Sequence, residues 1–480
     1  MPPSKKKLAA TPQPSTRSTS AVLNFFLGAC AMYYIWIAGI APGDFQGDSW
    51  EYLGLAGQMK AGLFGLSSYR YLRGLFYPWF LSVTWGHEGS LTYFLQVAVF
   101  LASLYLALRI LGFGSVYCLL PVCAAMIPAF AFLQKLVYPD GLLVSFTLLF
   151  FVALAKRRWR ICGALGALLL LTKLVFAVVL PIGLVVFLFE RGTIRPKMLG
   201  RGLVLLLLLA PIGAFVLLDY IFVDLGYMVT FARPYAHGSP IESVFPGDQL
   251  TFTCGSRPYT VSRSDLFYEP VTVPYSIAAF GPLREAQASA LGCTKGDLRS
   301  LKQDLIRAAL LRNPLRHLAL GLETFLRTIV GSYDSNHVSY ILQLREISWR
   351  TNYDIRSYFE PYEITLQPQY RNNGFNIVQG PSMLFLVNYL FLMGGQALVS
   401  LIALCGLVLG AIFAYRRTRL LDCIMDPVNV ALTLFLVVYS LLVSVSVPLI
   451  LDRYTFINLL LLCILTVRVA RKAFELPDSK

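Results

Sequence analysis

Apolar residues along this chain come in long blocks, not at the period of a strand or of a half-buried helix. Several blocks reach the roughly 18 to 25 residues that cross a bilayer, and short polar connections separate them. Alternating segments of about ten residues, as in a membrane β-barrel, are absent. The blocks predict about ten transmembrane helices, at about 21–41, 91–110, 117–137 and 142–154, two short ones within 161–189, then 203–223, part of 383–415, 428–451 and 456–467. The fold class expected is a polytopic α-helical membrane protein.

One block carries its own interruption. Thr172-Lys173 breaks the run from Ile161 to Phe189, and a Lys in mid-lipid costs several kcal/mol. The run reads as two short helices with Lys173 at their outer turn. The other reading is one long helix with Lys173 in a cavity, which reverses everything downstream. The basic ERGTIRPKMLGR loop that follows favours two helices, because it then stays in the cytoplasm.

Composition agrees with the pattern. Of 480 residues, 56% are hydrophobic and 14% charged, against about a quarter charged in soluble domains. The net charge of +15 would suggest nucleic acid in a soluble protein, but here Lys and Arg cluster beside the ends of apolar helices. The clusters are Lys5 to Lys7, Lys156 to Arg160, Arg191 to Arg201, Arg416 to Arg419 and Arg468 to Lys472, and they mark cytoplasmic loops. This orientation divides the chain. Residues 1–20 form a polar, proline-bearing cytoplasmic tail, expected to be disordered. Residues 21–223 form an N-terminal transmembrane module with an outer loop at 42–90. Residues 224–381 form a large extracytoplasmic segment between helices 7 and 8. Residues 382–472 hold the C-terminal helices, and 473–480 a cytoplasmic tail. Within the large segment two helices are expected, joined at Asn313-Pro314. The second is amphipathic, and it either lies on the membrane surface or packs onto the loop domain.

Seven of nine cysteines fall in or beside predicted spans, as small apolar packing residues. Cys254 and Cys293 share the large outer segment, where either a disulfide or two free thiols fits. No CxxC or Cys/His zinc spacing occurs.

The chemistry-bearing residues gather on the outer face. They are Asp48 with Glu51, Arg70 and Arg73 in the first outer loop, then Asp140, Lys173, and Asp452 with Arg453. Arg and Lys suit a lipid phosphate at the interface and would stabilise it as it departs. A carboxylate could deprotonate an acceptor hydroxyl, or two could hold Mg²⁺ or Mn²⁺ against the phosphate. Plainer roles also exist. Asp48-x-x-Glu51 has the form of a helix-capping pair, Asp140 could cap the next helix, Lys173 could snorkel, and the aromatics could be interface residues.

The order Asp48, Tyr52, Ala56, Arg70 and Tyr77-Pro78 resembles the first outer loop of the GT-C glycosyltransferases, in the protein mannosyltransferase and aminoarabinose transferase-like branch. It continues with Asp140 after helix 3, Leu171-Thr172-Lys173 between short helices, and Arg453-Tyr454 opening the last span. The likeness covers the membrane part up to about residue 220 and the last helix. It departs at Arg73-Gly74-Leu75-Phe76-Tyr77-Pro78, where the branch often carries Pro-Pro or Pro-Gly-Tyr-Pro, and its second acid is frequently Glu.

This resemblance implies transfer of a sugar from a polyprenyl-phosphate carrier to an extracytoplasmic glycan, lipid or protein, in a bacterial inner membrane with the site on the periplasmic or outer face. It makes Asp48 and Asp140 the catalytic or metal-positioning acids. Lys173, Arg70, Arg73 and Arg453 would hold the lipid phosphate, and Tyr52, Tyr77 and Tyr454 would face acceptor or sugar. His237 and His337 read as surface histidines or as metal ligands. The rival readings are a transporter or flippase of lipid-linked sugars and a non-catalytic partner in envelope glycan assembly.

Overall fold

The computed structural model describes residues 16–40, 47–62, 74–85, 90–111, 117–127, 130–131, 134, 137–189, 249–254, 257–262, 303, 307, 310–311, 313–330, 348–349, 375–376, 383–416, 420–446 and 452–474. These residues are predominantly helical. The N-terminal half holds α1 (Thr16–Ile40), α2 (Gly47–Lys60), α3 (Phe76–Thr84), α4 (Ser90–Ile110), α5 (Leu119–Ala125), α6 (Asp140–Ala155), α7 (Trp159–Thr172), a 3₁₀ turn at Leu174–Val178, and α8 (Val179–Phe189). Two short antiparallel pairs follow, β1 (Gln249–Cys254) with β2 (Arg257–Ser262) and β3 (Ser348–Trp349) with β4 (Phe375–Asn376). Between the two pairs lies α9 (Pro314–Val330). The chain closes with α10 (Met383–Arg416), α11 (Leu420–Ile424), α12 (Pro427–Ser446) and α13 (Asp452–Phe474).

Among the described residues three stretches, Leu91–Ile110, Leu398–Arg416 and Pro427–Ser444, are long and apolar enough to cross a bilayer. Three shorter apolar helices are Ala21–Ile37, Asp140–Ala155 and Trp159–Thr172. The protein is a helical membrane protein. The expected helix at 203–223 lies outside the described residues, as does most of 224–381.

The core is built around α13. Every residue from Thr455 to Val467 is buried, as expected of a helix without a polar stripe. It packs against α5, α9, α10, α11 and α12. Its few polar groups are spent on neighbours: Thr466 donates to Ala403 O at 2.9 Å, and Gln396 Nε2 donates to Thr455 at 3.2 Å. Such bonds join helices where lipid offers no hydrophobic drive. On the other side Tyr34 donates to Ala125 O at 2.9 Å and Tyr93 to Tyr34 O at 2.8 Å, tying α1, α4 and α5 together.

One expected span is interrupted and one boundary is corrected. Within the span expected over 117–137, α5 ends at Ala125 with a turn at Met126, and Phe130, Ala131 and Gln134 are helical again. The sequence has Pro128 just after this turn, and a Pro has no N–H to give and disfavours helical geometry in the residue before it. The last helix begins at Asp452, not near Phe456, and runs on to Phe474. Asp452 suits a helix N-terminus and the basic tail suits its C-terminus.

One polar knot pins the C-terminal helices at the basic end. Asp426 precedes Pro427, the first residue of α12, which is the favoured order of cap and Pro. Its Oδ1 accepts from the N–H groups of Val428 and Asn429 at 3.1 Å each and from Arg468 at 2.9 Å. Its Oδ2 accepts from Lys472 at 2.5 Å. Burial pushes the carboxyl up, but the Lys472 hydrogen bond, the charges of Arg468 and Lys472, and the Asn429 N–H outweigh it and leave the group below the usual carboxylate range. A depressed folded-state value adds stability that is present above the unfolded value of about 3.9 and is lost as pH falls through the folded one. Asp426→Asn is expected to cost about 2 kcal/mol near neutral pH, from a cap and a charge-assisted bond, with the half-exposed Lys472 contributing little. Thermal unfolding in detergent checks this: the gap between parent and variant should begin to narrow as pH drops below about 3.9 and close only below the lower folded-state value.

Candidate functional site

Lys173 is where the sequence puts a break, and the chain does break there. Helix α7 ends at Thr172, Lys173 is extended (φ −159°, ψ 123°), and the 3₁₀ turn starts at Leu174. The reading of two short helices holds. The turn is held in place by aromatic contacts to α12, with Phe176 5.3 Å from Tyr439 and 6.2 Å from Phe435, ring to ring.

Asp140 opens α6 directly after Pro139. A carboxylate in the first turn is favoured by the helix dipole, but this side chain caps no amide of its own helix. It turns to Lys173: Nζ lies 3.2 Å from Oδ1, with the two side chains 18% and 6% exposed. Residues 33 apart in sequence thus meet at the ends of α6 and α7. The Asp140 Oδ2 is buried and has no hydrogen-bond partner among the described residues.

The outer loop reaches the same place through a glycine. Gly74 has φ +61° and presses onto the C-terminus of α7. A Cβ there would lie 2.5 Å from the carbonyl oxygen of Thr172 and closer still to that of Leu171. Only Gly allows so close an approach in that backbone conformation. Helix α3 starts just after it and brings in two of the predicted aromatics. Tyr77 is fully buried and meets Tyr52 of α2 edge to face at 5.1 Å. Phe76 packs on Phe146 of α6 at 5.6 Å. Burial, then Tyr52, Asp140 and Tyr138, hold the Tyr77 hydroxyl well above the usual range. The Tyr77 phenol therefore stays protonated and can act as a hydrogen-bond donor.

Of the residues expected in the site, the structure brings together Tyr52, Tyr77, Asp140 and Lys173. Helix α2 starts at Gly47, which puts Asp48 in its first turn and not at the cap position. The side chains of Asp48 and Glu51 are outside the described residues. So are Arg70, Arg73, His237, His337 and Cys293, and the side chains of Cys254, Arg453 and Tyr454. The backbone places Arg453 and Tyr454 at the start of α13.

Two glutamines were not expected. Gln134 is fully buried, and neither polar atom of its amide has a partner among the described residues. A Cβ on Gly141 would overlap that amide, so Gly141 is what lets Gln134 reach the first turn of α6 beside Asp140. Gln96 donates from Nε2 to Gln134 O at 2.8 Å, and its Oε1 is buried without a partner among the described residues. Buried amides this incompletely paired are uncommon. The signal was available in the sequence, as single polar residues inside apolar runs.

The residues described do not by themselves fit Mg²⁺ or Mn²⁺. Those ions want several oxygen ligands, and among the described residues no three of His, Cys, Asp and Glu come together. Among the described side chains of this site the one carboxylate, Asp140, already faces an ammonium. What the arrangement offers is a partly buried cation, a buried carboxylate whose Oδ2 has no partner among the described residues, and a neutral phenol donor at the meeting of three helix ends. No family model, no curated protein and no solved structure matches this chain.

Proposed function

We propose that the protein is a GT-C-type membrane glycosyltransferase of about ten spans, with its site on the extracytoplasmic face. It moves one sugar from a polyprenyl-phosphate carrier to a glycan, lipid or protein acceptor. The observation that carries this reading is the Asp140–Lys173 contact at 3.2 Å, because the resemblance assigned both residues to one site from distant stretches of sequence. The packing of Gly74 against Leu171 and Thr172 adds support, since Arg73, its neighbour in sequence, has an assigned role at the lipid phosphate.

In this reaction an acceptor oxygen attacks the anomeric carbon and the bond from that carbon to the phosphate oxygen breaks. The phosphate leaves with the electron pair, and the acceptor's proton passes to Asp48. A single displacement inverts the anomeric centre. Lys173, with Arg70, Arg73 and Arg453, meets the charge that builds on the leaving phosphate. Asp140 keeps the Lys173 ammonium aimed until then.

Replacing Asp48 with Asn should lower transfer by at least about 100-fold, the scale of a lost general base, while the protein still inserts. Mass spectrometry of lipid-linked sugars in cells carrying only the variant should show the donor accumulating. Normal turnover would remove Asp48 from the role. A purified protein that translocates labelled carrier yet forms no glycosidic bond would replace the whole reading with transport.

A further inference from the structure

Helix α9 has two unlike faces. Leu320, Thr324 and Thr328, at four-residue spacing, are buried, and the helix packs on α12 and α13. The two threonines bond back to their own helix, Thr324 to Leu320 O at 2.7 Å and Thr328 to Thr324 O at 2.8 Å. That leaves a smooth face with no unmet hydroxyl donor, suited to close packing on neighbouring helices. On the opposite side Leu315, Leu318, Leu322 and Leu326 are 77%, 69%, 56% and 50% exposed. Their spacing of three, four and four residues makes one continuous stripe. Glu323 and Arg327 pair at 2.6 Å on the flank between the faces.

The C-terminal end of this helix is placed by one side chain. Asn458 Nδ2 donates both to Ser440 Oγ at 2.8 Å and to Thr328 O at 3.1 Å. Ser440 lies four residues short of the end of the α12 span at Ser444, about 6 Å along the axis. The C-terminal end of α9 is therefore attached within the thickness of the hydrocarbon layer, not above it. Leu326, two residues before Thr328 and exposed, shares that depth, and a leucine pointing away from the bundle there faces acyl chains.

We infer that α9 is a membrane-embedded helix whose leucine stripe docks on the acyl chains of the leaflet at the C-terminal end of α12. This extends the sequence expectation, in which the helix either lay on the membrane surface or packed on the loop domain. It is seated on spans by its threonine face and solvated by lipid on its leucine face. The inference is independent of the reaction proposed above.

The test replaces Leu318, Leu322 or Thr324, one at a time, with a diazirine-bearing amino acid in the full chain in native membranes. After photolysis the products are read by mass spectrometry. At Leu318 and Leu322, phospholipid acyl adducts should exceed both water-quenched product and protein cross-links. At Thr324 the order should invert, with cross-links to α12 or α13 dominant. Water quenching at the leucines would place the stripe in solvent and overturn the inference. Cross-links from the leucines to another part of the chain or a second copy would overturn it too, assigning the stripe to protein. Lipid adducts at Thr324 would equally overturn it, by showing that the helix is not seated on the bundle.

Discussion

Lys173→Met should destabilise the protein by about 3–5 kcal/mol, because it strands the buried Asp140 carboxylate. Asp140→Asn should cost less, about 1–3 kcal/mol. The Lys173 side chain is 18% exposed against 6% for Asp140, so its ammonium can find water more readily than the carboxylate can. The double variant, Asp140→Asn with Lys173→Met, leaves no unpaired charge and should recover most of the loss, with a coupling of about 1–3 kcal/mol. Transfer behaves differently if the pair serves the reaction. All three variants should then turn over at least about 100-fold more slowly, the double included. Thermal unfolding in detergent gives the stability arm, and product formation from a polyprenyl-phosphate sugar gives the other. A double variant that regains both stability and turnover would make the pair a structural bridge only.

Gly74→Ala should be the most damaging change to a residue that carries no functional group. A left-handed backbone costs a non-glycine residue about 1–2 kcal/mol. Here the new methyl would also overlap two main-chain oxygens at Leu171 and Thr172. Those atoms are helix backbone and cannot swing aside as a side chain would. The total expected loss is about 2–4 kcal/mol. Any relief must move α3 away from α7, and with it the chain leading from Arg70 and Arg73. Displacement on the order of 1 Å can cost about 100-fold in rate. Gly62 supplies the control: its φ is +68° but nothing lies within 4 Å of an added Cβ. Gly62→Ala should lose only about 1 kcal/mol and leave transfer intact. Equal effects at the two glycines would mean that the contact between Gly74 and α7 does not matter.

Hydropathy made most helices legible where an apolar run was long. Helix α4 begins within one residue of its expectation, and the α10 and α12 stretches were found where the blocks put them. The break at Lys173 was legible for an energetic reason, since lipid does not tolerate an unpaired ammonium. Its pairing with Asp140 was not foreseen: both residues were placed on the outer face in separate roles, because hydropathy carries no information on which helix ends meet. The interruption within 117–137 has the opposite cause. Apolar character persists through it, so the window looks continuous although the helix stops at Ala125 and turns at Met126. Gly74 was invisible because close approach of two backbones leaves no trace in composition. Gln96 and Gln134 left a trace, single amides in apolar runs, that was weaker than the charged residues around them.

The burial of α13 on all sides constrains how the protein is made. It follows the other described helices in the sequence, yet it occupies the middle of the bundle. Helices made before it must therefore leave a cleft, with Ser440 and Gln396 facing the places of Asn458 and Thr455, until α13 arrives. A chain cut before Asp452 would expose that polar-lined cleft to lipid, a target for membrane quality control. Insertion of α13 thus acts as the closing step in assembling the described bundle.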